Sequence, residues 1–361
     1  MRIAFLCGCA EAGKDGVGDY TALLAAECRR QGHSAMIIAL NDRYVTGAEM
    51  VEGLLRLGAG LTWRVRMEHA RETIERFGAD VISLQWVPYA FHPKGIPRGI
   101  DTGLARIAAG RVVQVMCHEI WIGAEVGASF PHRVTGAAQR SVLRRILRLL
   151  RPRIVQTSNS AYAGVLKRVG VSATVLPLFG SIPVTGREIA RDETTAKFGM
   201  FGELHPEWSP EPLLGHLRGL GGRIEIEHIG RIGKGLELWE NMERQYGREI
   251  GFKRHSEQPA ARISQFLMEM DFGISTTPLA LLGKSGTLAA MLEHGLPVVV
   301  NRNDVHFAGV DEGPPPVGVI VMDDGLITAL REARRRPAAS TLPQVATRFL
   351  ESLQTRRAET S

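Results

Sequence analysis

Apolar positions along this chain follow two rhythms. Short continuous runs bounded by glycine or charged residues read as buried strands, and longer stretches repeating every three or four residues read as amphipathic helices. Residues 1–7 form the first apolar run, and Gly8, Gly13, Gly16 and Gly18 follow it. A helix is expected over 20–31, closing at Gly32, and a second strand over 34–40. Strand, glycine loop, helix, strand is a βαβ unit. The unit recurs as a helix at 61–77 before a strand at 80–85, a strand at 111–117, and a helix before a strand at 153–157.

A second series begins near residue 195. Strands are expected at 196–201, 223–229, 250–253, 272–275 and 297–301, with helices at 210–220, 236–246, 260–269 and 286–293 between them. Alternation of this kind predicts an α/β protein of two doubly wound, Rossmann-like domains with parallel sheets, facing a cleft. The proline- and glycine-bearing stretch 176–195 separates the two series. The resulting division is an N-terminal domain at 1–180, a linker at 181–195, a C-terminal domain at 196–335, and a closing helix within 340–357, periodic over 342–357. Gly313-Pro314-Pro315-Pro316 is a rigid loop.

Composition narrows the class. Of 361 residues, 44% are hydrophobic and 23% charged, which supports a sizeable core and excludes disorder, collagen-like and disulfide-scaffold architectures. Cys7, Cys9, Cys28 and Cys117 contain no CxxC pair, so a zinc site is not expected and reduced, buried thiols in a cytoplasmic setting are. The apolar run at the N-terminus is too short for a signal peptide, and no run approaches the length of a membrane span.

Charge is more informative by position than in sum. The formal net charge is +6, yet from Glu125 to Glu188 no acidic residue intervenes, while Arg133, Arg140, Arg144, Arg145, Arg148, Arg151, Arg153, Lys167, Arg168 and Arg187 all do. At about 100° per residue, Arg140, Arg144, Arg148 and Arg151 share one helix face and Leu143, Ile146, Leu147 and Leu150 another, before Pro152 ends the helix. Two readings stay open. The arginines of this helix, with Arg145, are a solvated face over a packed leucine stripe, or they dock on anionic lipid or an acidic partner. A nucleic-acid partner is not expected, because no recognition helix or aromatic interleaving accompanies the charge.

Three motifs sit where a doubly wound sheet places ligands. Lys14-Asp15-Gly16-Val17-Gly18-Asp19-Tyr20-Thr21 leads into a helix whose first amides would face an anion; the alternative is a glycine turn needing only positive φ. Gly283-Lys284-Ser285-Gly286-Thr287 opens a helix that Gly295-Leu296-Pro297 closes, converging amides, a hydroxyl and an ammonium on one point, as a diphosphate requires; the alternative is Ser285 as a plain N-cap. Met116-Cys117-His118-Glu119 ends a strand and sets a histidine at the ligand edge, or else a structural one. Arg231-Ile232-Gly233-Lys234-Gly235 is a fourth candidate, equally readable as a solvated turn.

These residues resemble a group 1 bacterial glycosyltransferase, a retaining enzyme of the GT-B fold, over most of the chain. Gly16-Val17-Gly18-Asp19-Tyr20-Thr21 with Arg30-Gln31-Gly32-His33 is similar to the family's first loop and helix, and Ser83-Leu84-Gln85-Trp86 and His118-Glu119 to its later N-domain loops. Gln156-Thr157-Ser158-Asn159-Ser160, Phe198-Gly199-Met200-Phe201-Gly202 and Leu292-Glu293-His294-Gly295-Leu296-Pro297 carry the likeness onward.

The resemblance implies transfer of a sugar from a nucleoside diphosphate sugar to a glycan, lipid-linked or small-molecule acceptor, without metal or cofactor, in the cytoplasm or at the inner face of its membrane. It implies catalytic roles for His118 and Glu119 and substrate contacts from Gly16, Val17, Gly18, Asp19, Tyr20 and Gln85. Donor phosphate contacts would come from Lys284, Ser285, Gly286, Thr287, Arg231 and Lys234.

Two departures stand out. Glu203 and Trp208 occupy the positions where the family carries its phosphate-binding Arg and Lys, and Leu282 and Ala290 occupy those of its paired glutamates. They motivate the alternative of a GT-B-like protein that binds without catalysis; a nucleotide-sugar epimerase is a third reading.

Overall fold

The computed structural model describes residues 1–187 and 194–354. The expected linker at 181–195 and the closing helix at 342–357 therefore lie partly outside the described residues. The chain divides into two compact units, one built from Met1–Pro177, Phe307–Glu312 and the described residues from Leu342, the other from Leu178–His306 and Gly313–Thr341.

In chain order the first unit contains β1 (Arg2–Cys7), α1 (Gly16–Arg30), β2 (Ser34–Asp42), β3 (Ala48–Val51), β4 (Leu54–Gly58), α2 (Trp63–Phe77), β5 (Val81–Trp86), α3 (Pro88–Phe91), α4 (Ile100–Ala108), β6 (Val112–Cys117), α5 (Phe130–Leu150), β7 (Ile154–Thr157), α6 (Ser160–Arg168) and β8 (Thr174–Val175). The sheet runs β3-β4-β2-β1-β5-β6-β7-β8, parallel throughout except at the β3–β4 hairpin. β1 and β5 are almost wholly buried, as strands covered on both faces must be. The order reverses between β1 and β5, so their carboxyl ends form the switch point where such sheets bind ligands.

The second unit contains β9 (Thr195–Phe201), α7 (Glu211–Leu217), β10 (Arg223–Ile229), α8 (Leu236–Tyr246), β11 (Gly251–His255), α9 (Ala260–Glu269), β12 (Phe272–Ser275), α10 (Gly286–Glu293), β13 (Val298–Val300), β14 (Val319–Val321) and α11 (Leu326–Glu332). Its six strands run β11-β10-β9-β12-β13-β14, all parallel. Numbered within the unit, this is the order 3-2-1-4-5-6 of dinucleotide-binding sheets, with its switch point between β9 and β12.

The closing helix, α12 (Leu342–Gln354), belongs to the first unit. Phe349 stacks on Phe5 of β1 at 5.6 Å, Gln31 donates to the Pro343 carbonyl at 3.0 Å and Arg153 to that of Leu353 at 2.8 Å.

Two sequence expectations shift. α1 begins at Gly16 rather than residue 20, because Asp15 caps it. The β3–β4 hairpin was not expected at all; all four β3 residues are exposed, so no apolar pattern marks that strand.

Candidate functional site

In the first unit the site grows from the loop after β1. Asp15 Oδ1 accepts from the Val17 and Gly18 amides at 3.1 and 2.8 Å. The expectation that these amides stand open to an anion is therefore corrected: the helix caps itself with a carboxylate. Gly18 is required for another reason, since a Cβ there would lie 2.5 Å from the Cys9 carbonyl oxygen. Asp19 turns back to accept from the Gly13 amide at 3.0 Å, and burial raises its pKa. Gly16 is exposed, Val17 half-buried and Tyr20 buried.

A residue that local pattern gave no reason to choose holds this loop. Asp42, at the end of β2 and fully buried, accepts from Arg56 Nε at 2.8 Å and from the Ala10 and Tyr44 amides at 3.2 and 3.0 Å, while Arg56 also reaches Glu11 at 2.6 Å. Burial alone would raise the Asp42 pKa, but the Arg56 guanidinium and the two amides hold it below the usual carboxylate value.

A carboxyl whose folded pKa is depressed stabilises the fold above its unfolded pKa of about 3.9, and that contribution is lost as pH falls through the folded value. Asp42→Asn is expected to lower stability by about 1–3 kcal/mol at neutral pH. Denaturant melts from neutral to acidic pH should show the difference from wild type shrinking below about pH 4; a difference constant with pH would refute the assignment.

His118 follows β6, and its amide donates to the Trp86 carbonyl at 3.0 Å. The Tyr20 ring and the imidazole pack T-shaped, 4.7 Å between centroids and 78° between planes. Burial pushes the His118 pKa down to about 3, so the ring is neutral at physiological pH. Gln85, expected to contact substrate, is itself buried and bonds His118 Nε2 at 2.8 Å; it lies behind the histidine. Glu119 is half-buried at the same edge.

In the second unit, Phe201 of β9 and Ser275 of β12 end neighbouring strands, and a small crevice opens there, lined by Gly202, Glu203, His228, Thr276, Thr277 and Thr287 among others. Gly202 has φ +81, and a Cβ would stand 2.7 Å from Thr287 Cγ2. His228, buried on β10, donates to the Gly202 carbonyl at 2.7 Å. Ser285 is the N-cap of α10, accepting from the Leu288 amide at 3.2 Å, and its hydroxyl is linked to those of Thr277 and Thr287 at 3.2 and 3.1 Å. Ser285 thus caps the helix, and its hydroxyl adjoins those of two threonines that line the crevice. Gly286 and Thr287 lie in the first turn of α10, where amides have no intrahelical acceptor, and Lys284 immediately precedes the cap. Arg231 and Lys234 are exposed in the turn after β10, on the other flank of Gly202.

The departures from the family pattern have a structural basis. Trp208 is buried in the apolar core of the second unit, and its indole donates to Asn301 Oδ1. Leu282 and Ala290 lie in a second apolar cluster, so neither position faces a ligand. Glu203, in contrast, lines the crevice and lies over Gly233, whose added Cβ would stand 2.7 Å from its carboxylate. The loop carrying these residues is tied to the strand ends through Arg302, which reaches Glu207 at 3.0 Å, and Asn301, which donates to the Ser209 carbonyl at 2.9 Å. Neither Asn301 nor Arg302 was expected from sequence.

Among the described residues no cluster of His, Cys, Asp and Glu is placed to hold a metal, and no helix is long and apolar enough to cross a membrane. All four cysteines are buried and unpaired.

No protein-family model matches the chain, and no curated protein matches it in sequence. Solved structures do match. The catalytic domain of starch synthase IV from Arabidopsis thaliana, bound to ADP and acarbose, aligns with a TM-score of 0.53 at 13% identity over 98% of each chain. HepE of Anabaena, in complex with UDP and glucose, aligns with a TM-score of 0.58 at 14% identity over 98% of this chain and 97% of its own. The lipopolysaccharide outer core galactosyltransferase WaaB aligns with a TM-score of 0.52 at 13% identity over 97% and 95%.

The chain has the GT-B fold. Identities this low carry the fold alone. Within this GT-B chain, the loop after β1 and His118 lie at the switch-point edge of the first sheet, and Gly202 with the start of α10 at that of the second.

Proposed function

We propose that this protein transfers a sugar from a nucleoside diphosphate sugar to a glycan, lipid-linked or small-molecule acceptor. The observation that carries the reading is the start of α10. Ser285 caps α10 with a neutral hydroxyl, the Gly286 and Thr287 amides lead its first turn and Lys284 precedes the cap in sequence, at the switch point of a 3-2-1-4-5-6 sheet; these are the residue types a diphosphate site uses. The structural likeness to proteins holding UDP or ADP supports it. In this reading Lys284 and the Gly286 and Thr287 amides hold the donor diphosphate and offset the charge that grows on it as the glycosidic bond breaks. Arg231 and Lys234 add positive potential from the opposite flank. His118, Glu119, Tyr20 and the Gly16–Asp19 turn serve the acceptor.

A thermal-shift series with UDP, GDP, ADP, CDP and TDP, alone and as sugar conjugates, tests the donor half. A native-state ligand at 100 times its Kd stabilises by about 2.7 kcal/mol, so one base should stand out. No shift with any of them in folded protein would refute it. Binding without transfer to any acceptor would favour a non-catalytic relative, and a changed, unattached sugar an epimerase.

We also propose that α5 docks on an anionic membrane surface. Arg140, Arg144, Arg148 and Arg151 are exposed, while Arg145 pairs with Asp101. Phe130 and Val134, 76% and 55% exposed, line one shallow depression with Arg133 and Arg140, so apolar and basic side chains share one surface, as interfacial helices require. Binding to vesicles containing phosphatidylserine should weaken with salt and in the triple variant of Arg140, Arg144 and Arg148 to Ala. Equal binding to neutral vesicles would count against it.

A further inference from the structure

We propose that Gln85, Ser83, Gln114 and Gln156 form a buried hydrogen-bond chain that fixes His118 as its Nε2–H tautomer and presents Nδ1 as an acceptor to a bound hydroxyl. The first half concerns the ring alone; the hydroxyl rests on the sugar-transfer reading above.

The chain crosses three neighbouring strands on one face of the first sheet. Ser83 of β5 lies opposite Gln114 of β6, and Met116 of β6 lies opposite both Gln85 and Gln156. His118 comes two residues after Met116, on the same side by strand alternation. His118 Nε2 meets Gln85 Oε1 at 2.8 Å. Gln85 Nε2 donates to Ser83 Oγ at 2.7 Å, Ser83 Oγ donates to Gln114 Oε1 at 2.6 Å, and Gln114 Nε2 donates to Gln156 Oε1 at 3.1 Å.

Every link runs in one direction, from the histidine toward Gln156. An amide oxygen only accepts, so the ring nitrogen facing Gln85 must carry the proton. In a neutral imidazole the other nitrogen then holds the lone pair. In this arrangement the single proton of Ser83 is given to Gln114 and its oxygen receives from Gln85. Turning all three amides over would reverse the chain and move the ring proton to Nδ1. The two arrangements predict opposite tautomers, and that makes the assignment measurable.

Folding alone does not call for such a chain. Ser83, Gln85, Gln114 and Gln156 are each 3% exposed or less, set among Ile82, Leu84, Val113, Val115 and Val155, which are also buried. Neighbouring β1 fills its buried row with Ile3, Ala4, Phe5, Leu6 and Cys7. A buried polar group without a partner costs about 1–3 kcal/mol, so a row of them is tolerated only as a fully bonded network. The network ends at the side chain that stands at the ligand edge. Burial, with no charged group contributing, accounts for the neutrality of that ring. Gln85, Ser83, Gln114 and Gln156 are thus positioning residues that act through His118.

Long-range ¹⁵N–¹H correlation spectra of the full chain labelled in histidine test this directly, with His118 assigned by its loss in His118→Asn. The expected result is a neutral Nε2–H ring across about pH 5 to 8. An Nδ1–H ring, or an imidazolium anywhere in that range, would overturn the proposal, and this readout needs neither a relay variant nor activity. Gln85→Leu should convert the single tautomer into a mixture, and Ser83→Ala should do so in part, while Ser83→Thr, which keeps the hydroxyl, restores it. An unchanged tautomer in Gln85→Leu would equally reject the chain. Where sugar transfer is observed, Gln85→Leu should lower kcat about 100-fold with KM for the nucleotide sugar within about threefold. An Nε2–H ring in a protein that transfers no sugar would leave the chain standing and remove the reading it was attached to.

Discussion

Lys284→Ala is expected to lower the rate of sugar transfer by about 10² to 10³, the effect of deleting one preorganised group that faces developing charge. Lys284 ends the short turn Leu279–Lys284, and Ser285 follows it as the cap of α10. The backbone there is fixed from two sides, by the Ser285 amide donating to the Leu282 carbonyl at 3.0 Å and by the hydroxyl link to Thr277. Removing the ammonium therefore leaves the capped start of α10 in place. Lys284→Arg should recover part of the rate, since a guanidinium keeps the charge but not the point geometry of an ammonium. The nucleotide-induced thermal shift should fall in parallel. Turnover in Lys284→Ala equal to wild type would show that the diphosphate is held elsewhere.

Gly202→Val should abolish nucleotide-induced stabilisation in a protein that still folds. The backbone at Gly202 is left-handed, a conformation that costs a β-branched residue about 1–2 kcal/mol. The larger effect is steric. The first added carbon already meets Thr287, and the two methyls beyond it would occupy the crevice between the end of β9 and the start of α10. Gly215→Ala is the matched control. It lies in α7 with open space around its added carbon, so it should keep binding and gain up to about 1 kcal/mol in stability. Undiminished nucleotide binding in Gly202→Val would exclude this crevice as the donor site.

The central strands of both sheets were legible because parallel strands covered on both faces are largely apolar runs, as β1 and β13 show; the short strands β3, β4, β8 and β14 were not. α10 was legible for a different reason, with Ser285 at one end and Gly295 at the other. What escaped the sequence was carried by distance along the chain. Asp42 lies far from Ala10 and Arg56 until the sheet brings them together, and nothing in its local context separates it from a turn residue. Gln85, Gln114 and Gln156 read as irregular interruptions of apolar strands, because a hydrogen bond between strands leaves no trace in either one. Gln85 was legible only through resemblance, which offered no sign of its bond to His118. At the first glycine loop the glycines draw the eye to open amides, yet Asp15 just before them accepts from those of Val17 and Gly18.

That aspartate sets the two helix starts apart by what already sits on their first amides. A phosphate approaching α1 must compete with a carboxylate already seated on the same amides, one that is tethered and so never diluted. At α10 the resident cap is an uncharged hydroxyl, and the carboxylate that lines the crevice, Glu203, belongs to another loop. Two helix starts of similar glycine content thus differ in the charge of the group that caps them, a carboxylate at the first and a neutral hydroxyl at the second.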